Sequence, residues 1–402
     1  EVLDLWAYDI SAGTHVSLVR TEDLIPPGEI ELSEQEAAHH ERMRIRHSGI
    51  VGYQWAKGSR TGTSDRLLFP LSGALYVYRL NAEADGRVRR LIDPADGAAY
   101  DPKFSPQGTA VSYVRDGNLY VVDVEARGAQ AGKPRALTTD GGGTVQNGVA
   151  EHVAQEEMGR HSGYWWSPDG QYIAYTQIDE APVPLVQRPV YHADRVEIVE
   201  QRYPAAGECN ALVRVGVVEV ETGQTTWMDT GNEDDIYIAR VDWLPDNQTV
   251  AIQVQSRDQR TLDLLFADAT TGVSRPILRE EDDHWVELHD DLRFLKESER
   301  FLWASERSGY KHIYLYSLDG ALIRQLTDGE WHDYNACWLP DGDIAFLSTR
   351  EPQFAYCWHA PVGIVHRMNA DGSRVRKLSS NYLNDFTPYV LDDGRLTDGH
   401  GR

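Results

Sequence analysis

The chain has 402 residues, with 39 Lys plus Arg against 63 Asp plus Glu, for a formal charge of −24. That balance excludes nucleic acid and disfavours an anionic membrane as partners, because both need a basic face and the densest basic run is the mixed stretch 41–47. Apolar residues at 41% are enough for a core, and no stretch reaches the roughly 18–20 apolar residues of a spanning helix.

The pattern opens with two strands in residues 1–19 (Leu3-Asp4-Leu5-Trp6-Ala7-Tyr8-Asp9), which read as the third and fourth strands of a sheet lacking its first half. No basic-then-apolar leader precedes them, so the expectation is a cytosolic chain or a trimmed leader. Residues 31–47 form a helix candidate, with Ser33 and Glu36 spaced as a capping box. A turn of the form apolar–Pro–Asp–Gly then recurs in full or degraded copies: Lys57-Gly58-Ser59, Ser105-Pro106-Gln107-Gly108, Ser167-Pro168-Asp169-Gly170 and Leu244-Pro245-Asp246-Asn247. It continues with Leu295-Lys296-Glu297-Ser298, Leu339-Pro340-Asp341-Gly342 and Leu391-Asp392-Asp393-Gly394. Proline presets the first central residue of such a turn, and Asp, Asn or Gly tolerates the next. An aromatic strand precedes the turn, an apolar strand follows, and then come an alternating strand and a closing Leu-Thr strand, as in Ala136-Leu137-Thr138.

Two further segments interrupt the repeat. Residues 144–160 form a second helical insertion carrying Glu151, Glu156 and Glu157, just before Tyr164-Trp165-Trp166. Residues 182–209, rich in Val and Tyr, form a long hairpin that leaves the sheet. The tail, residues 386–402, reads as a first half-sheet that complements residues 1–19.

Four short strands per repeat, with 20 Tyr, 11 Trp, 34 Gly and 18 Pro, define an all-β chain. The fold expected is a single β-propeller of seven four-stranded blades, or eight if one repeat is hidden, spanning 1–402 and closed by its N- and C-terminal halves in one blade. A sandwich or barrel of similar hairpins is the weaker alternative, because the turn recurs at the same place in each unit.

Three cysteines exclude a disulfide framework and a four-thiolate zinc site. Cys337 and Cys357, twenty residues apart and each followed by a Trp, could face each other on neighbouring strands, and either a disulfide or two buried thiols fits. The acidic runs Glu280-Glu281-Asp282-Asp283-His284 and Glu233-Asp234-Asp235 lack the spacing of a calcium loop, and adjacent His39-His40 point to different helix faces. Solvated loops are expected there, with no metal and no cofactor. Asp179-Glu180, before Ala181-Pro182, either line a tunnel or end a strand.

Several stretches resemble the propeller of a bacterial dipeptidyl peptidase IV, of the prolyl oligopeptidase family. They are Gln155-Glu156-Glu157-Met158, Tyr164–Gly170, Ile178–Pro184, Gly49–Trp55, Asp101–Pro106, Thr138–Gly143, Glu200–Gly207 and Trp303–Thr327, and they keep their order over about residues 1–330. The resemblance implies a propeller that caps an α/β-hydrolase domain, in a serine exopeptidase releasing Xaa-Pro or Xaa-Ala dipeptides. It also implies that Glu156 and Glu157 bind the free α-ammonium of a peptide substrate, that a homodimer is allowed, and that the location is periplasmic or secreted, a cytoplasmic one staying open. The charge-assisted bonds such a pair makes to an ammonium are worth roughly 1.5–3 kcal/mol each. The plain alternative is an exposed acidic turn on an acidic protein.

Two departures from that pattern stand out. No Gly-x-Ser-x-Gly elbow occurs in the 402 residues, and Gly159-Arg160-His161-Ser162-Gly163 has the wrong spacing, so no catalytic residue is expected in this chain. After about residue 331, Cys337–Gly342, His366–Ser373 and Asn384–Pro388 resemble a WD40-like repeat of another propeller family. A divergent member and a recombined or engineered blade both fit that change, and a non-catalytic scaffold or peptide-binding module is the second reading of the whole.

Overall fold

The computed structural model describes residues 2–26, 30–57, 65–83, 86–125, 133–295, 298–351, 353–355, 360–381, 383–391 and 394–398. The expected turns at 57–59, 295–298 and 391–394, and Cys357, fall wholly or partly outside them. By contacts the chain divides into two compact units, one mainly residues 1–243 and one mainly 251–402.

In the first unit, the sheet Gln54–Trp55, Arg66–Leu71, Ala74–Arg79 and Val88–Ile92 is an antiparallel meander in chain order. The sheet Tyr100–Phe104, Ala110–Arg115, Asn118–Asp123 and Arg135–Ala136 repeats it. Tight hairpins join the central strands because Ser72-Gly73 and Asp116-Gly117 all take positive φ, the conformation that matches strand twist in a two-residue turn. Side chains alternate across a strand, so one blade feeds two cores. Leu68, Leu75 and Val77 pack with Val111, Tyr113 and Val122, while Leu67, Phe69, Tyr76 and Tyr78 pack with Leu5, Val19 and Ile50. With both faces covered, the central strands read as continuous apolar runs rather than alternating ones.

The third sheet runs Tyr164–Trp166, Tyr172–Asp179, Leu212–Glu219 and Thr225–Trp227, and Val145–Asn147 extends it by pairing with Gln177–Asp179. Its first turn is built from the motif itself. The Ser167 hydroxyl donates to Asp169 Oδ1 at 2.6 Å, Gln171 N–H donates to the same oxygen at 3.0 Å, and Gly170 sits at φ 71°. The hairpin Leu185–Tyr191 with Val196–Arg202 leaves between the second and third strands of this sheet. The N-terminal strands Leu5–Asp9 and Thr14–Val19 form a hairpin of their own.

The second unit holds two complete meanders, Arg293–Phe294 through Leu322–Gln325 and Asp333–Trp338 through Arg376–Lys377. They share a core of Leu302, Ile313, Leu315, Ile344, Phe346 and Met368. The tail strands Pro388–Val390 and Leu396–Asp398 pair with each other. Strands Ile236–Trp243, Thr249–Ser256, Thr261–Asp268 and Ser274–Glu281 follow the same four-strand order, and the division between the units runs through this stretch.

Candidate functional site

Two short helices stand off the first unit's sheets. Helix α1, Glu34–Arg42, starts with a complete capping box: Ser33 Oγ accepts from Glu36 N–H at 3.2 Å, and the Glu36 carboxylate accepts from Ser33 N–H at 2.9 Å. Helix α2, His152–Glu156, is capped by Glu151 and Glu157. The helical insertion is therefore shorter than 144–160, because Val145–Asn147 finds a strand partner. Gly163 lets the chain return beneath α2, since a Cβ there would lie 2.3 Å from the Val149 backbone.

The two helices wall a cavity of about 680 Å³. Helix α1 contributes Gln35, Ala38, Glu41 and Arg42; α2 contributes His152, Gln155 and Glu156; the hairpin contributes Arg188, Gln201 and Arg202. The central contact joins the helices. Arg42 Nε donates to Glu156 Oε1 at 2.6 Å, and Arg42 Nη1 donates to Gln155 Oε1 at 2.9 Å. The Glu156 side chain keeps 40% exposure, so its carboxylate faces the cavity in a solvated setting. Burial lowers the pKa of His152, against the nearby Glu156 carboxylate that raises it.

The sequence-expected residues separate here. Glu156 lines the cavity; Glu157, the exposed cap of α2, is outside its lining. Glu180 lines the cavity, and burial raises its pKa against the opposing pull of Arg202. Asp179 ends its strand, and the N–H of Ala181, donating at 2.9 Å, holds its carboxyl below the usual range. Nothing in the sequence singles out Arg42. It meets Glu156 across 114 positions, and no spacing rule links the two.

Other candidates take structural places. Ser162 Oγ donates to Asp101 Oδ2 at 2.7 Å and accepts from the Lys103 ammonium, within the loop that leads into strand Tyr164–Trp166. Glu280 is not in a solvated loop: it lies in strand Ser274–Glu281, almost wholly buried, where Trp303 Nε1 donates at 2.9 Å, Ser305 Oγ donates at 2.8 Å, and Arg307 pairs with it. An apolar pocket around an indole and a guanidinium needs an anion there, which local sequence does not show. Glu233-Asp234-Asp235 is exposed. Among the described residues no group of three His, Cys, Asp or Glu is gathered for a metal. Burial pushes the Cys337 thiol up to about 11, and its expected partner Cys357 lies outside the described residues.

Repeated four-stranded antiparallel meanders with both faces packed make this a β-propeller fold. The chain belongs to the family described as the dipeptidyl peptidase IV N-terminal region, whose model matches residues 60–374. The match therefore takes in residues 331–374, part of the stretch for which the sequence reading expects a repeat of another propeller family. A probable dipeptidyl peptidase 4 of Aspergillus fumigatus is 29% identical over 283 residues, covering 66% of this chain and 36% of that protein. A dipeptidyl peptidase 4 of Trichophyton rubrum is 30% identical over 262 residues, covering 61% and 33%. The crystal structure of Porphyromonas gingivalis dipeptidyl peptidase 4 superposes with a TM-score of 0.70 at 26% identity, covering 83% of this chain and 46% of that one. The chain thus spans about a third of the length of the curated relatives it matches.

Proposed function

We propose that this chain recognises the free N-terminus of a peptide for a dipeptidyl peptidase IV-type serine exopeptidase, which releases Xaa-Pro or Xaa-Ala dipeptides. Glu156 and Glu157 receive the α-ammonium. The observation that carries the reading is Glu156 itself: a helix-borne carboxylate facing a cavity, already held by a cationic donor at 2.6 Å. A carboxylate offers about four lone-pair sites, so an ammonium can join Arg42 on Glu156 without displacing it. The net charge of −24 adds a field that draws cations toward the protein. The nucleophile, its base and the choice of the residue before the cut belong to an α/β-hydrolase partner domain, because these 402 residues hold no Gly-x-Ser-x-Gly.

Calorimetry tests this with Ala-Pro-Ala and its N-acetyl derivative. The free tripeptide should bind at least tenfold more tightly at neutral pH. Equal affinities would remove the assignment and leave the scaffold reading.

The protruding hairpin favours a homodimer as the assembly. Leu185, Tyr191, Val196 and Ile198 are each more than half exposed on its two strands, and an antiparallel ribbon can pair with its own copy about a two-fold axis. The variant Val196→Asp with Ile198→Asp should sediment as a monomer at concentrations where the unaltered chain is a dimer. A monomer in both cases would end this part of the reading.

A further inference from the structure

Helix α2 leaves its sheet through a neck closed by two charged side chains. Glu151 stands just before the helix and Arg160 just after the return, and Arg160 Nη2 meets Glu151 Oε2 at 2.5 Å with side-chain exposures of 4% and 5%. The rest of the guanidinium is spent on backbone: Nη1 donates to the Ser162 carbonyl and Nε to the Ile238 carbonyl, both at 3.1 Å. The main chain closes the same loop, with Arg160 N–H donating to the Ala154 carbonyl at 2.9 Å and Gln155 N–H to the Glu151 carbonyl at 3.1 Å. Ala154 and Met158 are buried beneath it. Glu156 lies midway along this ten-residue excursion, with Glu157 next to it at the end of the helix.

As a stabilising device the pair is a poor choice. Desolvating two charges offsets most of their attraction, and well-packed apolar residues of similar volume commonly do as well or better. The Glu151 carboxylate is moreover only half satisfied, since Oε1 is buried with no hydrogen-bond partner among the described residues. What an apolar pair could not supply is direction. The planar guanidinium fork fixes the distance and angle between the two ends of the loop and ties them to strand Ile236–Trp243.

We infer that Glu151 and Arg160 are positioning residues for ammonium recognition: they set the direction in which α2 presents Glu156 to the cavity, with Glu157 beside it at the helix end, and they touch no ligand. The inference rests on the reading of Glu156 as an amine ligand, so the experiment separates the two. The double variant Glu151→Leu with Arg160→Met should melt at or above the temperature of the unaltered chain. It should bind free Ala-Pro-Ala at least tenfold more weakly, with N-acetyl-Ala-Pro-Ala unchanged. A merely structural pair would move the melting temperature and the two affinities together. Arg160→Lys keeps the charge and loses the fork, and should show an intermediate loss; it decides the question if the double variant does not fold. Binding of the free peptide within twofold of the unaltered chain, in a folded double variant or in Arg160→Lys, overturns the positioning role. Glu156→Gln, measured alongside, tells which idea failed. If it too binds as the unaltered chain does, the amine assignment falls; if it alone loses binding, only the clamp does.

Discussion

Replacing Glu156 with Gln should weaken binding of Ala-Pro-Ala by about 10–100-fold while leaving the N-acetylated peptide unaffected. Glutamine keeps the shape and one acceptor but removes the charge, and a hydrogen bond to a charged group is worth roughly 1.5–3 kcal/mol, where each 1.4 kcal/mol is a factor of ten. The loss at Glu157→Gln should be smaller. Glu156 faces the cavity and is fixed by Arg42, whereas Glu157 caps the helix outside the lining and must turn inward to reach an ammonium, at a cost in side-chain freedom. The two single variants and the double variant, titrated by calorimetry against both peptides, give the ranking. Equal losses, or a larger one at Glu157, would mean that the ammonium sits on the outer side of α2 rather than in the cavity.

The largest effect on stability is expected at Trp303→Ala, in the second unit. The indole is fully buried in strand Arg300–Ser305, meets the His289 ring edge-on with centroids 4.5 Å apart, and donates from Nε1 to Glu280 at 2.9 Å. Truncating a buried aromatic costs roughly 3–5 kcal/mol through lost transfer energy and the cavity left behind. Part of the bonding to an almost wholly buried carboxylate goes with it, for roughly another 1–3 kcal/mol. Thermal unfolding should fall by about 10 °C or more, at roughly 2–4 °C per kcal/mol for a unit of this size. Trp303→Phe should lose less, because it keeps the ring volume and drops only the donor. A fall of under about 1 kcal/mol for the alanine variant would mean that the site collapses around the missing ring, or that Glu280 finds another partner.

The blade pattern is legible in the chain because the forces that make it are local. The turns at Ser167–Gly170 and Leu339–Gly342 are written by proline, aspartate and glycine within four residues, and the bonds from Ser167 and Gln171 to Asp169 close inside the motif. The α1 start is equally local: Ser33 and Glu36 satisfy each other's backbone three residues apart. The site is less legible. Asp179 and Glu180 read alike in sequence, but adjacent positions at a strand end face different ways, and only Glu180 reaches the cavity. Glu280 reads as one of a run of solvated acids; its burial depends on Trp303 and Arg307, more than twenty positions away.

The sequence by itself determines the all-β repeat, the family, the two helical interruptions and the acidic pair at 156–157, since each rests on turn chemistry, alternation or an ordered set of short motifs. Only the tertiary structure decides what the pair faces. Arg42 is brought to Glu156, and Arg160 to Glu151 and the Ile238 carbonyl, by the packing of elements that are far apart in the chain. A buried or half-buried charge must find its counter-charge wherever the fold places one, and nothing in the neighbouring residues of either partner specifies that meeting.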